Sequence, residues 1–320
     1  MNARSKSKTK ISKNFTTVTV RLLKLIETGV APWRQPWHNI NYQNLITQKD
    51  YTGINPVLCK IDCLYFGHSS PYYIGKAQCN ERGWQIKKGS KANWLRWGGG
   101  KTITEEVRDV RGQLHQKEKF ISAFKWLMVF NTDCIDDSRS EVKIADFITR
   151  VELRSSIDPI KDSEIEAFVR RINADIIYGG NQAYHVYEKN KIYIPLSHQF
   201  TSRDGYWATL FHELIHWTAT PDKLDRPVCG DLENPIYHQE ELVADLGASF
   251  LGNYFGLASI ELEHHASYLS HYWSLLNLDP QAFFRAAYKA QKAADYLLKL
   301  GGLESDKPVK LDESVVTSRN

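Results

Sequence analysis

His212-Glu213-Leu214-Ile215-His216 limits this chain more than any other stretch. Residues four apart share one face of a helix, so the two imidazoles can converge on one cation. Glu213 stands beside them, placed to act as general base on a water the cation activates, not as a ligand. Ser202-Arg203-Asp204-Gly205 offers capping residues just upstream. Tyr206, Leu210, Phe211, Leu214, Ile215 and Trp217 then recur at helical spacing, and Pro221 ends the run. The pattern predicts a short, largely buried helix over about 205–218.

A catalytic site of this kind wants three protein ligands and an open position for water. Residues 238–254 predict a second long helix, and Glu241 on it is the chosen third ligand. The separation from His216 leaves room for a loop and an antiparallel helix to return to the site. Glu240 is the rival and His238 a weaker one. Asp245, one turn past Glu241, is placed to accept a hydrogen bond from a ligand histidine. Two histidines and a glutamate suit Zn2+, and accept Mn2+ or Co2+ as well. The chemistry expected is amide hydrolysis, with Glu213 taking a proton from water and passing it to the leaving amine. Tyr184 is a candidate for assisting at the oxyanion.

Charge divides the chain. Residues 1–135 hold 22 Lys/Arg against 9 Asp/Glu, a net +13, and the remainder holds 19 against 28, a net −9, giving +4 overall. Six of the nine Trp fall in the first part: Trp33, Trp37, Trp84, Trp94, Trp97 and Trp126. A basic, Trp-rich half suits a polyanion with unstacked bases, hence single-stranded DNA. In Ala31-Pro32-Trp33-Arg34-Gln35-Pro36-Trp37 two prolines stiffen a loop that would display Trp33, Arg34 and Trp37, although both Trp could equally cap a small core. Lys87, Lys88 and Arg96, with Trp94 between them, form a second candidate contact. The five Cys form no C-x-x-C pair, which points to thiols in a reducing, cytoplasmic setting. No apolar run reaches the roughly 18 residues of a membrane span, so no membrane partner is expected.

Periodicity then predicts an α+β protein of two domains. A basic, disordered arm covers 1–14, and a small α+β domain 15–135. Within it, 15–28 and 57–66 read as helices and 71–74 and 92–97 as strands. Residues 98–119 read as a mobile hairpin loop and 120–131 as one long buried strand. Residues 136–160 read as a linker with one helical turn. A mainly helical domain with a small sheet covers 161–302, and a disordered tail 303–320. Pro195 cannot donate to a ladder, so the strand it closes is expected at the sheet edge. A free edge beside the cleft could take an extended peptide by strand addition.

These residues carry a likeness. HELIHWT at 212–218, KLDR at 223–226 and EELVADLGASFL at 240–251 resemble the zincin-like half of ArdC-type plasmid antirestriction proteins. LIETGVAPWRQPW at 25–37, YTGINPVLC at 51–59 and GWQIKKGSKA at 83–92, with FNTDCID at 130–136 more loosely, resemble that family's N-terminal single-stranded-DNA-binding domain. The family often has Glu where Asp245 stands and Arg-Leu-x-Arg where this chain has Lys223-Leu224-Asp225-Arg226. The resemblance implies His212, His216 and Glu241 as metal ligands, with Glu213 as catalytic acid and base. It implies DNA binding by the first half, where Tyr51 and Asn55 join the candidate contacts. It also implies protection of incoming mobile DNA from host restriction, with a host restriction protein as a conceivable substrate or target. Related N-terminal domains occur in plasmid primases. The alternative is therefore a non-catalytic strand-binding or primase-associated protein whose zincin half serves only structure or interaction.

Overall fold

Val18, Leu22, Leu25 and Ile26 form the buried stripe of helix α1 (Lys13–Glu27), and Gly29, at φ 82°, takes the left-handed conformation that turns the chain beyond it. Lys13 and Asn14, expected in the arm, are already helical. The computed structural model describes residues 13–34, 42–98, 100–108, 114–122, 125–152, 160–257 and 265–303. The arm before residue 13, Trp37 and the tail after residue 303 lie outside them.

A 3-10 turn, Pro32–Arg34, follows, then β1 (Gln43–Asn44), α2 (Asn55–Phe66), β2 (Tyr72–Gly75), α3 (Lys76–Glu81), β3 (Gln85–Ile86) and β4 (Asn93–Trp97). Next come β5 (Gly100–Arg108), β6 (Leu114–Ser122), β7 (Lys125–Asn131), β8 (Ile135–Asp136) and α4 (Ile144–Glu152). The main sheet runs β1-β2-β7-β4, with β7 antiparallel to both neighbours. Arg21 ties α1 to this layer. Its guanidinium donates to Asp62 on α2 at 2.9 Å and to the Ala92 carbonyl at 3.0 Å, while the Tyr73 hydroxyl donates to Asp62 at 3.1 Å.

The expected hairpin loop is instead a ladder: β5 and β6 pair antiparallel from Gly100↔Ser122 to Arg108↔Leu114. Thr102, Ile103, Thr104, Phe120 and Ile121 supply strand-forming residues toward one end of it. The single long strand over 120–131 is two strands, because β6 pairs with β5 whereas β7 lies between β2 and β4. Only Val129, Phe130 and Asn131 of β7 are buried. The linker is partly α4, whose Ile144, Phe147 and Ile148 pack on a small core around Trp84. The Trp84 indole donates to the Val142 carbonyl at 2.7 Å. These residues belong to the first half.

The second half contains α5 (Asp162–Ile172), β9 (Asp175–Tyr178), β10 (Tyr184–Val186), β11 (Lys191–Ile194), α6 (Arg203–Trp217), α7 (Pro235–Tyr254), α8 (His265–Leu278) and α9 (Ala282–Leu300). Its sheet order is β10-β11-β9, so β11 is central and β10 is an edge. Pro195 does not force β11 outward, because the strand ends at Ile194 and no ladder bond is asked of the proline. Ser202 caps α6 by accepting from the Gly205 amide at 2.9 Å. Helix α7 lies close against α6 because Gly247 has no side chain: a Cβ there would sit 2.6 Å from Ile215 Cδ1. Behind α7, α9 buries Ala286, Ala287, Ala290, Ala293 and Ala294, small residues that permit a near approach.

One hydrophobic core runs through both halves, from α1 and α2 to α6, α7 and α9. Trp33 sits inside it at 0% exposure, with ring centroids 5.9 Å from both Tyr272 and Phe283. It is therefore not displayed to a strand of DNA, which corrects the expectation for this residue. Thr19 donates to the Pro280 carbonyl at 2.8 Å, and the Trp273 indole to Glu27 at 3.0 Å. No helix among the described residues is long and apolar enough to cross a membrane.

Gly247→Ala should destabilise the protein by about 1–3 kcal/mol, because overpacking against Ile215 outweighs the gain in helix propensity of roughly 1 kcal/mol. Urea unfolding measures this, and a neutral or stabilising result would remove the tight α6–α7 crossing from the account.

Candidate metal centre

His212 and His216 occupy successive turns of α6, and their Nε2 atoms lie 3.1 Å apart. Glu241 arrives from α7 with one oxygen 3.5 Å from His212 Nε2 and the other 3.5 Å from His216 Nε2. A tetrahedral ion with ligand bonds of about 2.0–2.1 Å keeps neighbouring donor atoms about 3.3–3.4 Å apart. The three separations fit a divalent cation between them. Among the described residues these three form the cluster of His, Cys, Asp or Glu close enough to hold a metal.

Each histidine is oriented from behind. His212 Nδ1 stands 3.2 Å from Asp245 Oδ1, and His216 Nδ1 stands 3.5 Å from Glu240 Oε1. Glu240, the rival ligand, is committed elsewhere: Arg226 donates to it through Nε at 2.9 Å and Nη2 at 2.6 Å. Arg226 also donates to the Thr218 hydroxyl and the Ile215 carbonyl, both at 2.7 Å, fastening the end of α6. Asp245 is held by Arg34, whose Nε donates to Oδ2 at 3.0 Å and whose Nη2 also bonds it. Arg34 is buried, so it too is withdrawn from the expected DNA contacts. Arg226 escaped the reading of the sequence as a chemical residue, and Arg34 was given the wrong partner. Nothing local signals that Arg34 meets a carboxylate 211 positions later.

Four buried carboxylates, Glu213, Glu240, Glu241 and Asp245, meet two buried guanidiniums. The surplus is two negative charges, which a divalent cation matches. In the metal-free protein the surplus acts on the imidazoles instead. Burial opposes the charge on His212, but Asp245 and Glu241 outweigh it and push its pKa up to about 9. For His216, burial is likewise overcome by Glu241 and Glu240. Burial would raise the Glu241 carboxyl, but His216 and His212 hold it well below the usual range. Burial raises Glu213, and the two histidines only partly oppose it, which moves its proton affinity toward that of a general base.

The centre opens on a cleft of about 1050 Å3 whose lining includes His212, Glu213, His216, Glu241, Arg34 and the edge strand β10. Strand β10 carries His185 past the Glu213 carboxylate, both residues lining the cleft. The His185 ring also lines the cleft, its pKa pushed down to about 4 by burial, with His216 and Lys223 adding to the effect. Tyr184 lines the cleft as well, half exposed and stacked on Tyr193 at 4.8 Å.

The remaining candidate DNA contacts are scattered over the first half. Lys87 and Lys88 are exposed, with Lys87 Nζ donating to the Asp133 carbonyl at 2.9 Å. Asn55 is occupied with backbone, donating to the Arg96 carbonyl at 2.8 Å and accepting from its amide at 2.7 Å. Tyr51 packs on the core, with its hydroxyl buried. Trp94 is half-buried, and the Arg96 guanidinium lies 4.9 Å from the Trp126 ring centroid and 5.3 Å from that of Phe15.

Residues 12–130 match the N-terminal domain of anti-restriction factor ArdC, and residues 163–289 match the zincin-like metallopeptidase family. The metal-free crystal structure of the antirestriction ArdC protein of plasmid R388 superposes with a TM-score of 0.64 at 30% identity, covering 92% of this chain and 99% of that one. Its Mn(II)-bound structure gives 0.63 at 28% identity, covering 90% and 97%. A DNA primase TraC of Escherichia coli is 28% identical over 302 residues, 88% of this chain but 26% of TraC, so the chain spans about a quarter of that relative. The uncharacterized protein y4eC of Sinorhizobium fredii is 24% identical over 292 residues, 88% of this chain and 91% of y4eC.

Metal analysis of the purified chain should find about one divalent ion per molecule, as a three-ligand site requires. His212→Ala, His216→Ala and Glu241→Ala should each lose it, whereas Glu240→Gln should keep it at reduced affinity. The reverse result for the two glutamates would exchange their roles.

Proposed function

The chain belongs to the ArdC antirestriction family, and we propose that it joins a single-stranded-DNA-binding half to a divalent-metal hydrolytic centre, together protecting incoming mobile DNA from host restriction. The observation that carries the second part is the triangle of His212, His216 and Glu241 donors with Glu213 beside it in an open cleft. A divalent ion bound there would supply Lewis acidity, with Zn2+, Mn2+ and Co2+ all suited to the donor set. The chain's own residues do the rest. Glu213 accepts a proton from the attacking water and returns it to the leaving amine. Strand β10, with its free edge on the cleft, aligns an extended peptide by main-chain bonds. Arg34 and Arg226 keep two of the carboxylates ionised without entering the chemistry. A host restriction protein in the cytoplasm is the class of substrate this reading implies.

For the first half, we place residues 13–152, with α4 included, in the strand-binding unit and 160–303 in the metal-bearing one. Burial of Trp33 and Arg34 moves the proposed DNA face to the exposed Lys87 and Lys88 turn and the Trp94–Arg96 side of β4. The match to TraC favours a second reading, in which the same unit serves DNA handling without hydrolysis.

Glu213→Gln separates the two. It should retain metal and strand binding yet lose protection when unmodified DNA enters a restricting host; full protection by this variant would leave only the binding role. Single-strand affinity should fall steeply with salt, and Lys87→Ala with Lys88→Ala should flatten the log–log slope by about 0.7 for each phosphate contact removed. An unchanged slope would take these lysines off the DNA face.

A further inference from the structure

The two ligand histidines are held by different parts of the chain. His216 is set by Glu240 and Arg226, both in the second half. His212 faces Asp245, and Asp245 is gripped by Trp33 and Arg34 of the first half together with Tyr272 of α8. Its Oδ2 accepts from Arg34 Nε at 3.0 Å, from Arg34 Nη2, from the Tyr272 hydroxyl at 2.8 Å and, more distantly, from the Trp33 indole at 3.5 Å. Oδ1 faces His212 Nδ1 at 3.2 Å. Donors gathered on one oxygen fix the plane of the carboxylate, and with it the direction in which the other oxygen faces the imidazole. That choice presents Nε2 of His212 to Glu241 and His216.

We propose that Arg34, carried by the DNA-binding half, is a positioning residue of the metal centre in the other half, acting on His212 through Asp245. The proposal rests on the metal-centre reading above. The geometry of the turn makes Arg34 suited to the task. Pro32–Arg34 is one 3-10 turn, and Trp33, buried between Tyr272 and Phe283, anchors it so that Arg34 enters beneath the cleft in one place. The Asp245 side chain is 0% exposed, so water offers it no substitute partner, and that of Arg34 is 4% exposed, at the wall of the cleft. The centre is thus complete only while the first half is seated. Metal affinity becomes a property of the whole chain rather than of the zincin half.

A competing role for Arg34 is simple neutralisation of a buried charge, with no effect on the ligand. Mn(II) binding to the full-length chain, measured by chelator competition, distinguishes them. Wild type, Arg34→Met, Asp245→Asn and the double variant form a cycle. Loss of a group that orients a ligand typically weakens metal binding by about 10–100-fold. Each single variant should show such a loss, and the double should bind no more weakly than Asp245→Asn. Arg34→Lys should recover part of the affinity, since it returns the charge without the two-donor fork. Should Arg34→Met fail to fold, the double variant, which buries no unpaired carboxylate, and Arg34→Lys still give the comparison. Mn(II) affinity unchanged in Arg34→Met or Arg34→Lys, or losses that multiply in the double, would overturn the proposal. If wild type bound no Mn(II), or His212→Ala bound it equally well, the metal-centre reading itself would fall, and this inference with it.

Discussion

Burying carboxylates beside one another is the constraint around which this structure is arranged. Glu213, Glu240, Glu241 and Asp245 lie within a few turns of two helices, all buried, with the three glutamates at the wall of the cleft. Each ionised group costs several kcal/mol to bury unless it is paired and hydrogen-bonded. The fold answers with two guanidiniums approaching from opposite directions, Arg226 from the loop after α6 and Arg34 from the far end of the chain. What remains uncompensated is two negative charges, the complement of one divalent cation. The close α6–α7 crossing, the alanine face of α9 and the insertion of Trp33 all serve to hold that group of charges together.

The helix carrying His212 and His216 was legible because its apolar residues keep a 3.6-residue period and Ser202 caps it. A second helix carrying Glu240 and Glu241 was legible because the chain after His216 leaves room for a loop and an antiparallel return; which glutamate faces the histidines was not. Helices α1 and α2 and strands β2 and β4 were found within a residue or two, since their stripes and glycine stops are local. The failures are failures of non-local information. A Pro-flanked Trp-Arg pair has the same local pattern whether it greets a nucleobase or plugs a core; only the distant positions of Asp245 and Tyr272 decide. Pro195 misdirected the sheet order because it falls one residue beyond the ladder. The β5–β6 ribbon was hidden by its charges, and α4 by a mixed composition whose apolar face becomes apparent only when it meets Trp84.

The shared core also bears on how the charge asymmetry should be understood. A +13 segment and a −9 segment attract each other, but here the contact is chiefly apolar: α1 lies on α8, and Trp33 and Phe15 pack among Tyr272, Phe283 and Phe284. Much of the basic surface is thereby left to other partners. The Arg96 guanidinium lies against the Trp126 and Phe15 rings on the sheet.

The Pro32–Arg34 turn has a consequence for inheritance. Where domains meet only at their surfaces, recombination can exchange one and keep the other. Here a crossover between residues 152 and 160 would bring in a new first half, and unless that half also presented a tryptophan and an arginine at this turn, Asp245 would be left charged and sealed from water. The two halves should therefore pass between replicons as one cassette. The matches to a primase more than three times as long and to y4eC each take in 88% of this chain, as expected of a unit that moves whole.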